Sequence, residues 1–136
     1  MKPPAGYRER AHTADWELEV WAPDLPELFE QAARGMAALA GVQLQPAPRR
    51  TRRLELDSID AEGLLVRFLE ELLFLQSMEG LAFDTFHLVI QEWRLLADLE
   101  GAPVARLDKE IKAVTYHNIK IQASEGGIEV RIVFDV

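Results

Sequence analysis

The chain has 136 residues, 49% apolar and 28% charged, the balance of one ordinary globular domain. A formal net charge of −8 argues against tight direct binding to nucleic acid, because phosphate contacts need clustered cations. With no cysteine, a disulfide framework and thiolate chemistry are both excluded.

The opening MKPPAGYRER has no apolar h-region and reads as a short arm. The longer apolar runs are broken by Glu and Arg and are too short to span a bilayer, so the expectation is a cytoplasmic protein without membrane contact. His12-Thr13-Ala14-Asp15 then runs into a period-two segment. Trp16, Leu18 and Val20 alternate with Glu17, Glu19 and Trp21, which predicts a strand with one wet face, and Asp15 is in phase with that face.

"DLPELFEQAARGMAALAG" predicts a helix, with Asp24 as N-cap, Pro26 in the first turn and Gly41 as terminator. Leu25, Leu28, Phe29, Ala32, Met36 and Leu39 form its apolar stripe. The run "RRTRR", Arg49 to Arg53, lacks interleaved aromatics, so the default reading is an exposed strand entry with solvated arginines rather than an RNA-docking patch. "TRRLELDS" predicts a strand with Leu54 and Leu56 inward. "DAEGLLVRFLEELLFLQSMEG" predicts a second helix, capped by Asp60 and ended by Gly80, with Glu70 and Glu71 solvating it.

Phe86, Leu88 and Ile90 predict a third strand, and Leu95, Ala97 and Leu99 a fourth. The turn between them, around Trp93, lacks glycine or asparagine. Residues 101–112 read as a charged loop in which Lys112 is an exposed cation. "VTYHNIKIQAS" and "GIEVRIVFDV" then predict two strands joined at Glu125-Gly126-Gly127. His117, in phase with Ile119 and Ile121, is expected to be hydrogen-bonded and partly buried. His87 is expected on the wet face.

This order lacks repeated strand–helix alternation. It predicts an α+β fold, two helices on one face of a mainly antiparallel sheet, as a single domain over 1–136.

The last strand alternates to the final residue, ending on Asp135 and Val136. If the end of this strand meets the start of the first, Asp15 and Asp135 converge with a main-chain or α-carboxyl oxygen. Oxygen donors without thiols suit a hard divalent cation: Ca²⁺, Mg²⁺ or Mn²⁺. His12 could orient Asp15 or make a turn hydrogen bond. The sequence carries no phosphate loop, nucleophile elbow or HExxH motif.

"HTADWELEV", "FEQAARGM", "LLVRFLEELLFLQSMEGLAF", "EIKAVTYHNIKI" and the terminal "VRIVFDV" together resemble the archease family, in that family's order and over nearly the whole chain. The resemblance implies a compact α+β domain that assists an RtcB-type RNA ligase. The ligase would be its partner, it would promote guanylylation and multiple turnover, and it would meet RNA only indirectly. It implies a metal site of Asp15, Asp135 and Val136, with calcium as the associated ion, and a partner or phosphate contact at Lys112. Three departures are Ala11, where the family often has an acidic residue, the short glycine-free connection between the third and fourth strands, and the "RRTRR" run. The other function classes are a metal-dependent phosphoester hydrolase using Asp15 and Asp135 with His12 as base, and a chaperone-like binding module.

Overall fold

Both helices begin and end where their capping residues stand. In the computed structural model, which describes residues 4–10 and 16–136, α1 spans Leu25–Ala40 and α2 spans Ala61–Glu79. The Asp24 carboxylate accepts from the Glu27 N–H at 3.0 Å, and the Asp60 carboxylate from the Gly63 N–H at 2.7 Å. Each satisfies an amide that the first helical turn leaves without a partner. Gly41 and Gly80 close the helices at φ 67° and 64°, the left-handed region that favours glycine.

The strands are β1 Gly6–Arg10, β2 Trp16–Ala22, β3 Gln43–Leu44, β4 Arg50–Asp57, β5 Leu81–Gln91, β6 Arg94–Arg106, β7 Ala113–Val114, β8 Gln122–Ser124 and β9 Gly127–Asp135. They form two antiparallel sheets rather than the one expected. The first runs β1-β2-β9-β7 with β8 also on β9. In the second, β6 lies between β5 on one side and β3 and β4 on the other. The fold is α+β. One contiguous core joins the sheets and helices through Leu18, Val20, Phe29, Phe68, Leu95, Ile132 and Phe134, with the Phe29 and Phe68 rings stacked at 5.9 Å. No helix among the described residues is long and apolar enough to cross a membrane.

Several expectations need correction. The N-terminal arm is in part a strand, because β1 pairs along β2. It covers the face of β2 predicted to be wet: Arg8 and Arg10 each reach Glu19 at 3.1 Å, and Arg8 lies over the Trp21 ring. Glu19 is consequently only 6% exposed and Trp21 is buried. In the same way Val133, placed by alternation on the polar face of β9, is buried.

Residues 101–106 are not loop but the second half of β6. Gly101, where the expected loop began, sits in β6 beside an irregularity in β5 between Phe83 and Thr85. A Cβ there would lie 1.9 Å from the Ala82 carbonyl oxygen, so only glycine admits this close approach. Conversely, the strand expected through His117 and Ile119 is split in two: β7 near its start and β8 at its end, where β8 and β9 form the expected hairpin. Between β7 and β8 the chain turns, with Asn118 at φ 53°. His117 is exposed; it hydrogen-bonds Asn118, whose amide lies 3.1 Å from its Nε2.

The "RRTRR" arginines are not simply solvated. Arg49 bridges Asp84 and Glu100, Arg52 pairs with Glu79 at 2.5 Å, and Arg53 approaches Asp98 at 3.8 Å. The run is matched to carboxylates of α2, β5 and β6, which removes much of its capacity as a phosphate-binding patch.

Candidate metal and partner site

β9 is the central strand of the first sheet, and its end is held on both sides. On one side, Trp16 at the start of β2 lies opposite Phe134. On the other, Ala113 lies opposite Asp135 and Val114 opposite Phe134. Two further hydrogen bonds extend this pairing: the Lys112 N–H donates to the Asp135 carbonyl at 2.8 Å, and the Thr115 N–H to the Val133 carbonyl at 2.9 Å. Val136 stays partly buried, its side chain packed on the core as Trp16 is. The last residues of β9 are therefore clamped rather than frayed.

These contacts bring Asp135, Val136 and Lys112 to one edge of the molecule. Asp135 and Lys112 are exposed. Among the described residues nothing pairs with the Asp135 carboxylate, which leaves both its oxygens available to a cation. Its main-chain oxygen already accepts from Lys112. Asp15 and His12 lie outside the described residues; Asp15 directly precedes Trp16 in sequence, and Trp16 is the residue paired with Phe134.

The donors among the described residues fit a hard cation by chemistry: a carboxylate oxygen, with no cysteine anywhere in the sequence to compete. Among the described residues no group of three or more His, Asp or Glu is arranged to hold a metal. Asp135 and Val136 alone would therefore make only part of a coordination shell, and further ligands would have to come from outside the described residues, from water or from a partner.

A second cation stands near this edge. Lys109 Nζ lies 5.3 Å from the centre of the Trp16 ring, a cation–π contact worth about 0.5–1 kcal/mol at an exposed position. No sequence spacing links Lys109 to Trp16, because β9 and the turn after β6 bring them together.

Among the described residues, the groups with clearly shifted pKa values lie elsewhere. Asp84 is held below its ordinary value, chiefly by its hydrogen bonds with Arg49, and Arg49 is pushed up by Asp84 and then Glu100. This is an exposed structural network, not a site tuned for proton transfer.

The model of the Archease protein family matches residues 7–136. The chain belongs to the archease family. Protein archease of Thermococcus gammatolerans is 36% identical over 125 residues, covering 85% of this chain and 87% of that protein. Protein archease of Aeropyrum pernix is 31% identical over 140 residues, covering 96% and 97%. The solution structure of Methanobacterium thermoautotrophicum protein 1598 superposes with a TM-score of 0.71 at 26% identity, covering 96% of this chain and 99% of that one. The crystal structure of a Thermotoga maritima archease, described as a possible chaperone, gives a TM-score of 0.67 at 20% identity, which shows the shared fold.

Proposed function

We propose that this archease-family chain is a non-enzymatic activator of an RtcB-type RNA ligase in tRNA splicing or RNA repair. It acts in the cytoplasm, promoting guanylylation and multiple turnover, and meets RNA only through the ligase. Asp15, Asp135 and Val136 would hold a divalent cation, calcium first and magnesium or manganese as alternatives. That cation would supply charge neutralisation beside anionic groups. His12 would orient Asp15, and Lys112 would contact the partner or a phosphate.

The observation that carries this reading is the clamped end of β9. Pairing with β2 and the 112–115 segment fixes Asp135 at an exposed edge, with Lys112 beside it. A carboxylate in that setting can be presented to a partner without first being ordered, so little conformational entropy is lost on docking. The net charge of −8 favours approach to a basic partner surface.

The test is to give the ligase sub-stoichiometric chain and follow guanylylation over many turnovers. Stimulation should be lost in Asp15→Ala and in Asp135→Ala. Variants that stimulate as well as the parent would sink the proposed role of these residues.

The Thermotoga relative's description as a possible chaperone favours one second reading, a chaperone-like binding module. It would suppress aggregation of a client equally well with Asp135→Ala as without it.

A further inference from the structure

Carboxylates are distributed unequally over the surface. Asp57, Glu79, Asp84, Asp98 and Glu100 each meet an arginine. In the groove between the middle of α2 and the segment before β7 the situation is reversed. Glu70 and Glu110 line this groove of about 270 Å³, and among the described residues nothing pairs with either. The groove's apolar wall includes Phe74, 55% exposed, and Ile111, which is buried. Met78, 68% exposed, lies one turn beyond Phe74 on the same side of α2. Lys112 is shared between this groove and the candidate site, so the two are continuous.

Phe74 and Met78 together leave an apolar strip of α2 in water, and such a strip rimmed by carboxylates without partners among the described residues is the chemistry of a docking surface. We propose that this groove receives a partner segment carrying an apolar anchor flanked by a basic residue. The anchor packs on Phe74 and Ile111, and the cation is taken by Glu70 and Glu110. The occupant is a segment of the protein partner named above, so this part of the inference rests on the proposed function. The lining carries two carboxylates against one ammonium, Lys112 at its end, so an acidic segment would meet net negative charge at Glu70 and Glu110. Lys112 lies at the junction, so a segment seated here holds the partner against the Asp135 edge.

Two measurements test this. In the first, amide and aromatic NMR shifts are followed as a short amphipathic peptide of Leu and Lys is added, and then its Leu and Glu counterpart. The Leu–Lys peptide should move Phe74 and Ala113 and lose that effect in Glu70→Lys/Glu110→Lys. Equal response to both peptides, no response, or shifts confined to another face would overturn the groove's assignment. In the second, ligase binding is measured with Phe74→Ser and with the double lysine variant. Phe74 is exposed, so its replacement leaves the fold intact. Binding should weaken at least about tenfold while maximal guanylylation at saturating chain is kept. Unchanged binding would overturn the ligase as occupant. If the parent chain fails to bind the ligase at all, the proposed function falls and the ligase falls as occupant, while the peptide experiment still decides the groove's chemistry.

Discussion

The main-chain N–H of Lys112 donates to the carbonyl of Asp135 at 2.8 Å, so the residue expected to touch a partner also fastens the residue expected to hold a cation. The two roles of Lys112 use different atoms and are separable. Lys112→Ala keeps the N–H, and its stability should stay within about 0.5 kcal/mol of the parent by urea unfolding. Lys112→Pro removes the donor and should cost about 1–3 kcal/mol. If the side chain contacts the partner, Lys112→Ala should still lose ligase stimulation.

Glu19 is buried between strands and reached by two arginines from β1. Replacing Arg8 and Arg10 together by Met removes both cations while leaving apolar bulk over Trp21. The double variant should lose roughly 1–3 kcal/mol in denaturant unfolding, because a carboxylate kept from water loses charged hydrogen bonds. A change no larger than that of an ordinary surface substitution would show that β1 is held by its backbone pairing alone.

Asp84 gives the fold a pH dependence of known sign. Its carboxyl binds a proton less readily when folded beside Arg49 than when unfolded. In that interval the unfolded chain holds more protons, so stability rises with pH. The contribution is complete above the ordinary carboxylate pKa of about 4 and is lost as pH falls through the lower folded value. Asp84→Asn should flatten this part of the Tm-against-pH curve in acid and leave its slope near neutrality unchanged. Scanning calorimetry across the acid range measures it.

The β5–β6 hairpin turns on Glu92 and Trp93, at φ 47° and 61°. Two consecutive positive φ values with a two-residue loop are the geometry that Asn-Gly fills best. Glu92→Asn/Trp93→Gly should therefore raise stability by about 0.5–2 kcal/mol, less any packing lost with the half-exposed Trp93 ring. Thermal unfolding of the double variant provides the measurement, and a lower Tm would contradict it.

The helices were legible because their signals are local: Asp24 and Gly41, or Asp60 and Gly80, act within a turn of where they stand. The β5–β6 turn was obscure for the opposite reason, since a sheet imposes its geometry on residues that would not choose it. Residues 101–106 read as loop because what holds Gly101 in β6 is the backbone of β5 lying against it, a contact between strands that local pattern does not carry. His117 looked like part of a strand because alternation continues past Val114, although the chain turns at Asn118. The burial of Glu19 depends on β1, whose own sequence, GYRER, carries almost no apolar pattern. At the candidate site, strand phase put Asp135 at the end of a strand, and the resemblance supplied its significance. Its attachment to Lys112 needed the pairing of β7 with β9, which no spacing in the sequence announces.

β2 and β9 come from opposite ends of the sequence and are neighbours in one sheet. Their pairing cannot begin until the whole stretch from β2 to β9 has been made, and it is among the contacts that cost most chain entropy to form. A truncated or half-folded copy has no clamped end to β9. An Asp135 edge held on both sides therefore reports that β2, β7 and β9 have come together, and a partner that recognises that edge would read the formation of the sheet itself.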